Sequence, residues 1–193
     1  GLKQIQPLVQ EACREKIERD RKRGILNRPV RTMVVGIPNV GKSTFINSFA
    51  GKACTKTGNK PGVTKGNQWI RLNKTLELLD TPGILWPRFE DQEVGLKLAF
   101  IGSINDEIID KEELAAELLK FLIKHYGRNL NERYGIETKD PYEALRVAAQ
   151  ARSCLLKGNE LDTKKETKLL MDDFRSGKLG RITLEFPEAP GEK

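Results

Sequence analysis

Hydrophobic and polar positions alternate along this chain in rhythms that change from helical to extended and back to helical. Leu8 to Arg23 is strongly charged, with Leu8, Ala12 and Ile17 available for one buried side, and reads as a helix broken at Gly24 and Pro29. Arg31-Thr32-Met33-Val34-Val35 is a short apolar run ending at Gly36, the pattern of a buried strand. Phe45, Ile46 and Phe49 then fall at helical spacing, predicting a helix over Ser43 to Ala50 that packs on the sheet. Lys52 to Asn67 is polar, rich in Gly, Lys and Thr, without period, and reads as a mobile loop. Gln68 to Leu72 and Thr75 to Leu79, separated by Asn73-Lys74, predict a hairpin whose second strand ends at Asp80.

Glu93 to Phe100 reads as a helix, and from Asp106 onward the period is helical throughout. Leu114, Leu118, Phe121, Leu122 and His125 fall on one face of a long helix, which makes His125, the single histidine, a structural residue. Asp140-Pro141-Tyr142-Glu143 supplies an N-cap acid, Pro at the first helical position and a capping-box Glu, and the helix is predicted to run to Leu156. Thr163 and Glu166 form a second capping box ahead of Leu169, Leu170 and Phe174. Pro187, Pro190 and Gly191 mark a loose tail. The fold class is therefore α/β: a P-loop type core over residues 1–105, followed by an all-helical C-terminal domain over 106–193.

At 193 residues the chain buries a core without help from disulfides or metals. Cys13, Cys54 and Cys154 are distant from one another and odd in number, which fits reduced thiols and a cytoplasmic protein. No apolar run approaches the roughly 20 residues of a membrane span. The start at Gly1 lacks an initiating Met and a signal pattern, and reads as a chain cut from something longer. The net charge of +7 divides unevenly: +5 over residues 1–31, +3 over 32–106 and −1 over 107–193. The basic excess lies before and within the P-loop region, where it suits the phosphates of a nucleotide or of RNA, or simply a solvated helix face.

The chemistry sits in Gly36-Ile37-Pro38-Asn39-Val40-Gly41-Lys42-Ser43, a G-x-x-x-x-G-K-S sequence between predicted strand and helix. Successive backbone N–H groups wrap a β-phosphate there, and a Cβ at the glycines blocks the wrap. Lys42 is placed to reach the β- and γ-phosphates, and the Ser43 hydroxyl to bind Mg²⁺. Asp80-Thr81-Pro82-Gly83 is a D-x-x-G arrangement: Asp80 holds the metal's water shell and the Gly83 N–H touches the γ-phosphate. Thr64, within Pro61-Gly62-Val63-Thr64, is the matching switch threonine, closing on Mg²⁺ and γ-phosphate. The candidate nucleotide ligands are thus Asn39, Val40, Gly41, Lys42, Ser43, Thr44 and Gly83, and the candidate Mg²⁺ ligands Ser43, Thr64 and Asp80. Lys42, Thr64 and Gly83 carry the phosphate and switch roles, and no general base is identified.

These motifs, with Ile37-Pro38-Asn39-Val40, Gln68-Trp69 and Leu78 to Pro87, resemble the translation-factor-related GTPases, and more closely the circularly permuted ribosome-biogenesis GTPases of the YlqF type. In that family the guanine-reading N-K-x-D precedes the P-loop. Here Asn59-Lys60 is followed by Pro61-Gly62 and Thr138-Lys139 by Asp140-Pro141, so neither completes the motif. The resemblance implies a permuted, incomplete core whose guanine-binding segment lies before Gly1. It also implies GTP as substrate, a potassium ion at Asn39, a water-positioning histidine upstream, and contact of the helical region with large-subunit ribosomal RNA.

Ile84 stands directly after Gly83, where many GTPases have the glutamine that orients the attacking water, so intrinsic hydrolysis is expected to be slow. Lys164, Lys165 and Lys168 are the candidate RNA patch of the helical region, equally explained as a solvated face. Trp69 and Trp86 are expected to serve packing beside the motifs in preference to stacking on bases. The expected function is a GTP-binding and GTP-hydrolysing assembly factor that binds large-subunit precursor particles in its GTP state. A non-catalytic ribosome- or RNA-binding module retaining the P-loop, and an ATP-using P-loop protein, are the alternatives.

Overall fold

The computed structural model describes residues 1–58, 62–105 and 109–186. The expected loose tail from Pro187, and Asn59 to Pro61 of the expected mobile loop, lie outside the described residues. Two compact units are present, Gly1–Arg88 and Phe89–Lys193.

The first unit contains α1 (Leu2–Ala12), α2 (Arg14–Lys22), β1 (Val30–Val34), α3 (Lys42–Ala50), β2 (Gln68–Arg71) and β3 (Leu76–Asp80). The three strands pair in the order β1-β3-β2, with β3 parallel to β1 and antiparallel to β2, so the predicted hairpin forms. Because strand side chains alternate with period two, Leu76, Leu78 and Asp80 share one face of β3, and all three are buried. Ile46 of α3 packs there with Ile70 and Leu78, and Phe45, Phe49 and Val34 close the cluster as the apolar pattern predicts. Full burial of a side chain such as Ile46 contributes about 1.5–3 kcal/mol. The parallel register sets Val34 beside Asp80, so the loop leaving β1 and the loop leaving β3 emerge side by side.

The predicted N-terminal helix is two helices, joined at Cys13, and neither buries a residue. Leu8 and Ala12 are exposed and Ile17 half-buried, so the expected buried side does not form. Polar anchors hold α1 instead: the Gln6 and Gln10 side-chain amides donate to Thr75 Oγ1 at the strand hairpin.

The second unit holds α4 (Gln92–Phe100), α5 (Lys111–Tyr134), α6 (Pro141–Ala151) and α7 (Thr163–Arg175). Leu114, Leu118 and Leu122 of α5 meet Ala144, Leu145 and Ala148 of α6 and Leu170 and Met171 of α7 in one core. The α4 helix belongs with them. The Arg175 guanidinium donates to the carbonyls of Phe100 (2.9 Å) and Ala99 (2.8 Å), satisfying the orphan acceptors at the α4 end. The unit boundary therefore falls at Arg88/Phe89 and not at the expected 105/106.

Asp140 caps α6 as the sequence suggests, accepting from the N–H groups of Tyr142 and Glu143. That helix ends at Ala151, short of Leu156, because the chain turns back and Leu155 bridges Leu161. The α7 cap is Asp162, which accepts from Lys165 N, so Thr163 and Glu166 do not form the expected box. Glu166 points into the core instead, fully buried, with Cys154 Sγ donating to its Oε2 (3.5 Å) and Arg152 Nη1 3.6 Å from its Oε1. Nearby, Asp173 accepts from Arg133, Arg152 and the Tyr134 hydroxyl. His125 is exposed, its ring tilted against Phe121 (4.8 Å) and Phe186 (5.3 Å), next to a break in helical backbone geometry at Tyr126.

Burial raises the Glu166 carboxyl above its ordinary range, against the opposing pull of Arg152. The folded state then holds a proton that the unfolded chain releases, so this contribution to stability is full below the ordinary Glu range and is lost as pH rises through the raised value. Urea unfolding of the full chain between pH 4 and 8 is expected to show the helical transition weakening with rising pH. Glu166→Gln is expected to flatten that part of the profile, and an unchanged slope would refute the assignment.

Candidate functional site

The loop between β1 and α3 turns through Gly41, whose φ of 88° is open to glycine at little cost, and delivers Lys42 and Ser43 to the first turn of α3. Asn39 also lies in the left-handed region, at φ 58°, where Asn is among the better tolerated residues. A cavity of about 270 Å³ opens over this turn, lined by Pro38, Asn39, Gly41 to Thr44, Lys56 to Gly58, Gly62 to Thr64 and Gly83. Of the sequence-derived candidates, Asn39, Gly41, Lys42, Ser43, Thr44, Thr64 and Gly83 line it. Val40 and Asp80 do not: the Val40 side chain is exposed and leans toward Gly36, and Asp80 borders a neighbouring cavity together with Thr55, Thr64 and Gln68.

Two oxygen-bearing side chains from two other segments converge on Ser43. Its Oγ lies 3.2 Å from Thr64 Oγ1 and donates to Asp80 Oδ2 at 3.4 Å. Asp80 is 1% exposed, and its Oδ1 has no hydrogen-bond partner among the described residues. A buried carboxylate oxygen without a donor is costly, and two hydroxyls beside it complete a hard, all-oxygen donor set that fits Mg²⁺. The Lys42 side chain folds back so that Nζ donates to the Ile37 carbonyl (2.7 Å). Its pKa is lowered by burial, while the charge of Asp80 pulls the other way.

The D-x-x-G segment is held against the end of β1 and against the P-loop. Thr81 Oγ1 donates to Val34 O (2.8 Å), and Gly83 lies so close that a Cβ there would sit 2.4 Å from Pro38 Cα and N. Ile84, next in sequence, is 78% exposed. Trp86 and Trp69 are 66% and 50% exposed, so neither is the packing residue expected. Trp69 instead carries the Arg31 guanidinium 4.8 Å above its ring.

Sequence reasoning missed Asn47. Its Oδ1 accepts from the N–H groups of Cys54 and Thr55, both at 2.9 Å, and its Nδ2 donates to Thr55 O (2.9 Å). Thr55 Oγ1 lies 3.1 Å from Ser43 O, so the start of the expected mobile loop is pinned to α3 and Lys56 is led to the cavity rim. A polar residue on the inner turn of an otherwise apolar helix was the available signal.

Fold and site define a P-loop nucleotide-binding protein with a D-x-x-G switch segment. The family described as 50S ribosome-binding GTPase matches residues 31–149, and the chain belongs to it. Ribosome biogenesis GTPase A of Bacillus cereus is 45% identical over 195 residues, covering 100% of this chain and 66% of that protein. The protein of that name from Thermotoga maritima is 34% identical over 84% of this chain and 58% of its own. Among solved structures, GNP-bound YlqF from T. maritima aligns with a TM-score of 0.55 and 31% identity, over 82% of this chain and 60% of that one. The GDP-bound YlqF aligns with a TM-score of 0.56 at 30% identity, over 83% and 62%. The chain thus spans about two thirds of the length of the curated relatives it matches. Among the described residues no helix is long and apolar enough to cross a membrane.

Gly83→Ala is expected to drive the switch segment off Pro38. If the Gly83 N–H meets the γ-phosphate, losing that charge-assisted bond is expected to lower affinity for a non-hydrolysable GTP analogue by about tenfold or more, with GDP affinity within about threefold. Titration of a fluorescent nucleotide measures both, and equal losses for the two nucleotides would contradict the γ-phosphate role.

Proposed function

We propose that this chain binds and hydrolyses GTP as a switch in assembly of the large ribosomal subunit, associating with precursor particles in its GTP state. The observation that carries the reading is the convergence of Ser43, Thr64 and the half-satisfied buried Asp80 at the mouth of a P-loop. The names of the relatives favour GTP over ATP and a ribosomal role over an unrelated P-loop activity.

In this reading the P-loop backbone and Lys42 hold the β- and γ-phosphates, with Nζ exchanging the Ile37 carbonyl for phosphate oxygens. Ser43 and Thr64 would hold Mg²⁺ directly and Asp80 through its water shell, and the metal would neutralise charge between the phosphates. Thr64 and Gly83 both line the phosphate cavity, so a γ-phosphate draws the two switch segments toward one point and its loss releases them. Exposed, apolar Ile84 cannot orient water, so hydrolysis is slow until a group from elsewhere supplies that function. Asn39, in the cavity wall, is the proposed ligand of an assisting potassium ion.

The permuted order of the GTPase motifs is also proposed. No N-K-x-D occurs between Asp80 and Lys193, where the ordinary order would put it. The four-helix unit is assigned as an all-helical C-terminal domain, and the protein as cytoplasmic, acting where ribosomes are assembled.

Lys42→Ala tests the assignment. Losing a charged contact to the β- and γ-phosphates is expected to weaken GTP binding by about a hundredfold or more in equilibrium titration. Retained affinity would sink the reading.

A further inference from the structure

The charge of this chain is concentrated in one unit. Gly1–Arg88 carries 17 Lys and Arg against 6 Asp and Glu, a net +11, while Phe89–Lys193 carries 17 against 21, a net −4. The pairing of those charges differs as much as their number. In the helical unit Lys97 is held by Glu93 and Glu185, Lys120 by Glu117, Arg128 by Glu132, and Asp173 holds three cations. In the first unit Arg14 pairs with Glu18 at 4.0 Å and Arg31 with Glu77 at 3.3 Å, but Lys16, Arg19, Arg21, Lys22, Arg23 and Arg28 make no ion pair among the described residues. All of these but Lys16 are exposed.

Their placement makes a surface. Lys16, Arg21 and Arg28 border one crevice of about 90 Å³ at the start of β1, with Asp20 as its acidic member. On the adjoining sheet, strand register sets Arg31 and Arg71 on either side of Glu77, so one acid faces two arginines. Arg31 lies over the half-exposed Trp69 ring, presenting an aromatic face beside guanidinium groups.

We propose that this basic face of the first unit, comprising α2, the segment through Arg28 and the Arg31–Trp69–Arg71 part of the sheet, binds the phosphate backbone of RNA. The proposal rests on the ribosome-assembly reading for the source of the RNA, and it moves the main polyanion contact from the helical unit to the GTPase unit. Arginine dominates the face, seven to two over lysine between residues 14 and 31 and at position 71. Planar guanidinium groups match phosphate oxygens two at a time and stack on bases, and a tryptophan under one of them is a sequence-tolerant base platform. The nucleotide phosphates bind at the P-loop cavity, which none of these residues lines, so GTP affinity serves as the internal control.

The test uses the full chain, a 20-base-pair RNA duplex and isolated large ribosomal subunits, with affinities measured at several KCl concentrations. The triple variant Arg19→Glu, Arg21→Glu, Lys22→Glu is expected to bind the duplex about tenfold or more weakly near 100 mM salt. The slope of log affinity against log salt should fall by about 2 to 3, since each lost phosphate contact removes about 0.7–0.9. Subunit binding should weaken in parallel and GTP affinity should hold within about twofold, since α2 does not line the nucleotide cavity. The matched variant Lys164→Glu, Lys165→Glu, Lys168→Glu is expected to change duplex affinity by less than about threefold. Duplex binding at the wild-type level in the α2 variant, or a larger loss in the α7 variant, would overturn the proposal. Subunit binding lost with duplex binding intact would overturn it in favour of an acidic protein partner. Failure of the ribosome-assembly reading would show separately, as wild-type chain that binds GTP and the duplex but not the subunits.

Discussion

A buried carboxylate at the end of a central strand is the constraint on which the nucleotide site depends. Asp80 shares its face of β3 with Leu76 and Leu78, so the alternation that builds the core also drives a charge into it. An anion there is tolerable only if its surroundings answer it, and they do so unequally: Ser43 donates to one oxygen, and the other has no donor among the described residues. The parallel pairing of β1 with β3 sets Val34 beside Asp80, so the P-loop that follows β1 brings Ser43 to the carboxylate, and the N-terminal turn of α3 adds favourable partial charge. In the proposed reading, core packing, metal affinity and switch geometry are one arrangement.

Two backbone contacts make the arrangement responsive. Gly83 touches Pro38 with no room for a side chain, so the segment after Asp80 senses displacement of the P-loop directly. Asn47, by pinning Cys54 and Thr55 to α3, fixes one end of the segment that carries Lys56 to the rim, and leaves Thr64 further along to make its own contact with Ser43. The segment after Asp80 is held by close packing on Pro38 and by the Thr81–Val34 bond, and Thr64 by a single hydroxyl pair, the weaker tether of the two.

Much of this was legible in the sequence because the decisive signals are local. The glycine pattern, the hairpin and the strand before Gly36 each depend on neighbours in the chain and formed, although that strand is not the buried one expected: Met33 and Val35 are exposed. What depended on tertiary context was not legible. Thr163 looked like a cap, yet Asp162 one residue earlier took that role and freed Glu166 to be buried against Arg152 and Cys154. The apolar side of α1 looked like a core face, yet the polar Gln6 and Gln10 make its contacts with the hairpin. Asn47 offers only its polarity among the apolar residues of α3, and that does not say which groups it meets, since its four bonds go to Cys54 and Thr55 in a loop whose conformation it helps to set. Expecting RNA contact in the helical region followed resemblance, whereas the charge of the two units points to the first.

The account stands or falls on whether Ser43, Thr64 and Asp80 form one metal-dependent switch. The direct measurement is the Mg²⁺ dependence of affinity for a non-hydrolysable GTP analogue, compared between the wild-type chain, Thr64→Ala and Asp80→Asn. Mg²⁺ is predicted to tighten the analogue in the wild type and to lose most of that effect in both variants, with metal-free GDP binding unchanged. The same Mg²⁺ enhancement in all three proteins would contradict it.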